Sequence, residues 1–452
     1  MVSTTLEASP PPAHYKWLKR ALLGFGAVLF VVGSFGVYQR FAHGHLDANY
    51  GSIVPWGLWV AAYTFFIGLS AGAFLVSSLV YVFNVRRFER IGRLALFTSL
   101  VTLVLALFGI SFDLGHMERA WNVLVHPNFY SPMAWIVWLY IVYFVILVVE
   151  LWFLLRRDLI AGAAQPGRRA GLYRVLALGS RATSEASGAR DRLVVRVLAT
   201  IGVPVAVLFH GGVGTLFGVV AARPHWHSGL FPIMFLVSAL VSGGALLIVV
   251  ALIFQSGRKR NRDTVLTLGK VVLGLLLLDV LFQVSDILIA YRGGIPGEIA
   301  GLSVVTSGPY WWVFWIWQIG IGTLIPLLLL TLPATRRNPI AVAAAALLIV
   351  VGLFGMRLNI VVPGLAVEEI RGLTTAVASV RVQASYFPSL MEWLVTAWII
   401  GLGLLLFGVG EKLLPVERQP MTERDALAEA DTVIELEMRP ERDQPEIQDV
   451  PV

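Results

Sequence analysis

The sequence predicts an all-α integral membrane protein with ten transmembrane helices. Three observations carry that prediction. Ten stretches are apolar for about the 20 residues that a hydrocarbon core demands. Basic residues alternate between loops, 22 on the side of the N-terminus against seven on the other, which assigns both termini to the cytoplasm. Of the 452 residues, 57% are hydrophobic and 14% charged, with a mean hydropathy of +0.77. The net charge of +7 follows from the loop bias and is no nucleic-acid footprint.

Spans are predicted at 17–39, 55–83, 91–112, 131–155, 193–222, 228–255, 265–291, 310–332, 340–356 and 388–414. The first is too long for a signal peptide and lacks its cleavage site, so it reads as an anchor. Residues 1–16 read as a cytoplasmic tail and 17–414 as the membrane domain of a multi-pass protein of the inner (plasma) membrane. Residues 415–452 mix acids, arginines and prolines with few large apolar side chains, which predicts a disordered acidic cytoplasmic tail. Each inward-running span opens on proline beside aromatics: Pro55-Trp56, Pro132 to Trp135, Phe231-Pro232, Pro309 to Trp312 and Phe387-Pro388. Proline suits a first helical turn, and aromatics suit the membrane interface.

An internal repeat underlies the spans. Ser70-Ala71-Gly72-Ala73-Phe74-Leu75 in span 2 matches Ser242-Gly243-Gly244-Ala245-Leu246-Leu247 in span 6. Trp135 and Trp138 follow Pro132 as Trp312 and Trp315 follow Pro309, and Leu216-Phe217-Gly218 matches Leu353-Phe354-Gly355. These matches predict two parallel four-helix bundles, spans 2–5 (about 55–222) and 6–9 (about 228–356), with spans 1 and 10 flanking them. Gly68, Gly72, Gly243 and Gly244 would let helices approach closely.

Several segments resemble a known family. Trp56-Gly57-Leu58-Trp59, Gly68-Leu69-Ser70-Ala71-Gly72, Asp113-Leu114-Gly115, His126-Pro127-Asn128-Phe129 and Ser131-Pro132-Met133 are similar to the NrfD/PsrC (polysulfide reductase) membrane-subunit family. Arg357-Leu358-Asn359, Tyr386-Phe387-Pro388-Ser389 and Glu392 resemble its ten-helix HybB/DsrP-like branch. The resemblance covers about residues 17–414. It implies a non-autonomous oxidoreductase subunit passing electrons between the quinone pool, menaquinone or ubiquinone, and a ferredoxin-like iron–sulfur subunit on the outer face. A molybdopterin enzyme, a hydrogenase or a cytochrome subunit would complete the complex. Some relatives carry histidine or asparagine where this chain has Pro55 to Trp59, so that ligand pattern is not carried over.

The residues bear on this independently. With no cysteine the chain cannot supply thiolates to an iron–sulfur cluster. Only His210 lies within a predicted span, so paired haem ligands are not expected, and no metal-ligand spacing stands out; His225 and His227 read as interface residues. A quinone site needs proton-exchanging groups in a mainly apolar cleft. The outer end of the first bundle offers His116, Asp113, Tyr130, Trp59, Tyr63 and Arg119, with Trp56 nearby. His116 is the first choice for the quinone hydrogen bond, with Asp113 three residues away as relay. Two alternatives stand beside this: a helix cap with a wet loop histidine, and Arg119 as a docking contact.

Polar groups at membrane depth cost at least about 2.5 kcal/mol when ionised and are usually functional or paired. Asp279, Gln283 and Asp286 form one stripe along span 7. With Glu150, His210 and Glu392 they are candidates for a proton path; the structural alternative includes an Arg357–Glu392 pair. The same features also fit a proton-coupled secondary transporter or, less readily, a passive anchor of a redox complex.

Overall fold

The computed structural model describes residues 13–416 except 84, 86, 87, 256, 257, 369, 371, 378 and 380. The acidic tail predicted from Glu417 and most of the N-terminal tail lie outside the described residues. Ten helices are long and apolar enough to cross a membrane, and no strand occurs among the described residues. They are α1 (Ala13–His43), α2 (Leu58–Tyr81), α3 (Glu89–Asp113), α4 (Pro132–Ala164) and α5 (Glu185–Gly218). The remaining five are α6 (Phe231–Phe254), α7 (Arg258–Gly293), α8 (Val313–Thr331), α9 (Pro339–Leu365) and α10 (Leu390–Leu413). "Outer" below means the side that the loop charges assign to the outside.

Starts and stops follow local chemistry. Pro132 and Pro339 sit in the first turns of α4 and α9, behind Ser131 and Asn338, whose side chains accept main-chain N–H bonds. Ser389 and Glu392 close a capping box on α10, so Pro388 precedes that helix. Pro55 likewise precedes α2, which starts at Leu58. Several boundaries differ from the sequence reading, with α5 and α7 starting early, at Glu185 and Arg258. α9 runs on to Leu365, which carries Arg357 and Asn359 into the bundle instead of leaving them in a loop. α4 continues to Ala164, where buried Arg156 donates to Asp191 of α5 at 2.7 Å and to Ser180 at 2.6 Å. An unpredicted outer helix, Pro296–Thr306, follows α7.

α2 and α6 are enclosed over most of their length and pack against each other. α2 to α5 form one ring of neighbours and α6 to α9 another, while α1 packs along α10 at the periphery. On this neighbour order and the matched segments we propose that the second four helices repeat the first. Glycine makes the central crossing possible: a Cβ on Gly72 would collide with the Ala239 carbonyl, and one on Gly243 would lie 2.5 Å from the Ala73 nitrogen. Gly322 and Gly352 do the same between α8 and α9.

α8 is irregularly wound. From Val313 to Leu324 it is wound as a π-helix, returning to α geometry at Ile325 just before Pro326. The Thr323 hydroxyl closes onto the Gln318 carbonyl, five residues back, at 3.1 Å. Such segments are rare and concentrate at functional sites. Here the wide turn carries Gln318 into the middle of the second bundle.

Candidate functional site

Two polar assemblies stand out, one at the outer end of the first bundle and one inside the second. The first is built by two loops folded together over the ends of α2, α3 and α10. Ser52 donates to the Arg381 carbonyl at 2.7 Å, and Asn49 Nδ2 to the Phe387 carbonyl at 2.8 Å. Beneath them Tyr386 donates its hydroxyl hydrogen to Glu392 and accepts from the Leu58 N–H at 2.8 Å. Glu392 also accepts from the N–H groups of Ser389 at 2.9 Å and Asn49 at 3.1 Å. Trp59 Nε1 donates to the Glu392 carbonyl at 3.2 Å. Arg40, arriving from α1, caps α3 by donating to Phe112 and Leu114 carbonyls at 2.8 and 2.6 Å.

Asp113 closes this cluster. Its carboxyl lies beside the Tyr50 hydroxyl and within electrostatic reach of Arg40 and Glu392. Asp113 Oδ1 and the Tyr50 hydroxyl are nevertheless buried without an aligned hydrogen-bond partner in the protein. Burial, with Asp113 as the next cause, holds the Tyr50 hydroxyl well above its ordinary pKa; burial does the same for Tyr386, reinforced by Glu392. Burial and the nearby Arg40 push the His45 imidazole down, so it is neutral near pH 7.

The residues expected from the sequence divide. Asp113 and Trp59 belong to the cluster. Tyr63 is buried a turn deeper, with its main chain against Gly109. His116 is exposed, three residues outward from Asp113; Arg119 is 68% exposed beside Glu118, and Tyr130 is fully exposed. Trp56 stacks on buried Trp226 at 5.8 Å. Tyr50, Tyr386, His45 and Arg40 were not foreseen. They come from loops and from a peripheral helix, and no sequence period points them at Asp113.

The second assembly starts from Asp279. Gln283 donates to its Oδ2 at 2.6 Å, Gln318 to Gln283 Oε1 at 2.8 Å, and Asn359 to Gln318 Oε1 at 2.8 Å. Arg357, only 2% exposed, donates to Ser238 Oγ at 2.6 Å, lies 4.1 Å over the Phe235 ring and is within electrostatic reach of Asp279. Its guanidinium and the His210 ring both border Gly68, each 3.6 Å from where a Cβ there would stand. Outward of this chain lies a cavity of about 80 Å³ lined by His225, Asp286, Gln283, Gln318, Asn359 and apolar side chains.

The six proton-path candidates therefore occupy separate places. Asp279, Gln283 and His210 gather around Arg357, and Asp286 borders the cavity with its Oδ1 accepting from Ser228 Oγ at 3.2 Å. Glu392 belongs to the outer cluster, and Arg357 bonds Ser238, so the expected Arg357–Glu392 pair does not form. Glu150 lies buried toward the inner end of α4, with neither carboxyl oxygen hydrogen-bonded among the described residues. Among the described residues no cluster of three or more histidines or acids is arranged to hold a metal.

Similarity to known proteins agrees with this architecture. The chain is 37% identical over 406 residues to a selenate reductase subunit of Mesobacillus selenatarsenatis, covering 88% of this chain and 95% of that one. It is 28% identical to an Hdr-like menaquinol oxidoreductase integral membrane subunit of Archaeoglobus fulgidus, over 85% of this chain and 91% of the relative. It is 24% identical to a menaquinone reductase integral membrane subunit of Nitratidesulfovibrio vulgaris, over 87% and 91%. The family described as "Polysulphide reductase, NrfD" matches residues 47–368, most of the membrane domain, and the chain belongs to that family.

Proposed function

We propose that this chain is the quinone-reactive membrane subunit of a respiratory oxidoreductase, exchanging electrons between the quinone pool and an iron–sulfur partner on its outer face. Both termini are then cytoplasmic and the membrane is the plasma membrane, as the loop charges argue. The relatives named for menaquinol oxidoreductase and menaquinone reductase support the quinone, and the relative named for selenate reductase supports a catalytic partner.

The observation that carries this reading is the pair of buried oxygens on Asp113 and Tyr50, which lie beside each other at the mouth of the first bundle without an aligned hydrogen-bond partner among the described residues. A buried polar atom without a partner costs about 1–3 kcal/mol, and a quinol hydroxyl, donating to Asp113 Oδ1 and accepting from Tyr50, would satisfy both. The quinone ring supplies the two-electron, two-proton chemistry. Tyr50, held protonated, donates to one ring oxygen. Asp113 takes or returns a proton at Oδ1, neutral His45 is a second acceptor nearby, and exposed His116 with Glu118 passes protons to water. Arg119, Trp121 and Tyr130 form the exposed rim offered to the partner. Asp279 beside Arg357 and His210 is proposed to couple proton movement to the redox step, with Glu150 as its inner counterpart.

Purification of the tagged full chain from its native membranes tests this. Co-purification of a cysteine-rich subunit whose iron–sulfur EPR signal responds to added menadiol is the expected result. A chain isolated alone in a well-folded state, without iron in any co-purifying protein, would contradict it.

A further inference from the structure

The second-bundle cavity has a one-sided hydrogen-bonding character that follows from the groups behind it. Gln283 presents its N–H₂ to Asp279 Oδ2 and offers its oxygen to Gln318. Gln318 then offers its oxygen to Asn359, which must spend its own N–H₂ there. Asn359, 6% exposed and part of the cavity wall, keeps a buried Oδ1 with no partner among the described residues.

The other polar walls agree. His225 gives a ring N–H to the Asn359 main-chain carbonyl. Burial pushes its pKa down to about 4, so near pH 7 the second ring nitrogen is an acceptor. Asp286 adds a carboxyl, and among the described residues no lysine or arginine lines the cavity. The rest of the wall is apolar, with Phe231, Met356 and Leu302 among it. An anionic lipid headgroup would meet acceptors and a carboxylate with no cation. A quinone in its oxidised form would bring two more acceptors.

We infer that the cavity between α6, α7, α8 and α9 is a second ligand site that takes a hydroxyl-donating aromatic headgroup with an apolar tail, a quinol in its reduced form. It is separate from the Asp113 cluster, which sits on the first bundle. The inference rests on the reading that this chain handles quinol. The helix Pro296–Thr306 forms one wall, with Gly301 packed directly on the His225 ring. Leu302 is therefore a place where the cavity can be filled without touching the spanning helices.

The test is a fluorescence-quenching titration of the purified full chain with 2-heptyl-4-hydroxyquinoline N-oxide, which carries a hydroxyl donor. The wild type should bind two molecules per chain, and menadione, which has no donor, should displace only one. Leu302→Trp should bind one, with the affinity of the remaining site unchanged; that site also reports folding. Asp286→Asn, which replaces a carboxyl group by a weaker, neutral amide acceptor, should weaken the second site by about tenfold. One wild-type site untouched by Leu302→Trp and Asp286→Asn would overturn the second site and leave the proposed function standing. Two sites unaffected by either variant, or displaced equally by menadione, would also overturn it. No binding at all would remove both readings.

Discussion

Inside the first four helices most buried polar side chains are hydroxyls; inside the second four, carboxamides, an arginine and a carboxylate join them. Ser70, Ser99 and Tyr143 bond one another at 3.0–3.4 Å, and Tyr140 donates to the Leu103 carbonyl at 2.6 Å. A hydroxyl both donates and accepts, so this network closes on itself, and Glu150 and the Arg156-paired Asp191 are buried acids outside it. In the second bundle Asp279, Gln283, Gln318 and Asn359 form a chain with one direction and an unfilled end. The π-helical turns of α8 are what bring Gln318 into that line. Two bundles with the same helix order thus differ in kind: one keeps its reactive groups at the outer mouth, the other carries polarity to mid-membrane.

The largest effect is expected where the halves meet. Leucine in place of Gly72 would drive a side chain into the Ala239 backbone of the other half. Gly72→Leu is expected to abolish the monodisperse folded species in size-exclusion chromatography; near-normal yield would show that the central crossing is not as tight as described. Next in size is Arg357→Met, which leaves Asp279 at membrane depth without its nearby cation and should cost roughly 3 kcal/mol. Thermal unfolding in detergent reads this, and adding Asp279→Leu should recover part of the loss. No recovery would mean the two residues are not coupled.

A pH effect should follow from His225. Its folded pKa of about 4 lies below the ordinary 6.5, so between those values the unfolded chain binds a proton that the native chain refuses. Stability is therefore fully present above about pH 6.5 and declines as pH falls towards 4, by roughly 3 kcal/mol. The slope of Tm against pH in that window should flatten in His225→Gln; an unchanged slope would place the titration elsewhere. The smallest effect is expected in the self-closing network. Ser99→Ala should cost about 1 kcal/mol, because Ser70 and Tyr143 still bond each other. A loss of several kcal/mol would mean that the first bundle is as brittle as the second.

Helix number, order and the capped starts were legible because length, apolarity, proline and N-cap chemistry are local. The close approach at Gly72 and Gly243 was legible in outline, since small residues at matched positions admit a neighbouring backbone. Arg357 and Asn359 were misplaced into a loop because charge usually ends a span, yet here Ser238, Phe235 and Asp279 receive the guanidinium. Asp113 was visible as an acid at a helix end. Its partners were not, because Tyr50 and Tyr386 reach it through irregular loops more than 300 residues apart in sequence. The Gln318–Asn359 link was equally hidden: it depends on a π-helical stretch that apolar periodicity does not announce.

Most depends on the proposed contact between the quinone and Asp113 within its outer cluster. Titrating 2-heptyl-4-hydroxyquinoline N-oxide into the wild type, Asp113→Ala and His116→Ala tests it, with binding at the second-bundle cavity as the folding control. Asp113→Ala should weaken the first-bundle site at least tenfold, about 1.4 kcal/mol, while exposed His116→Ala stays within about threefold. Wild-type affinity at that site in Asp113→Ala would contradict the contact.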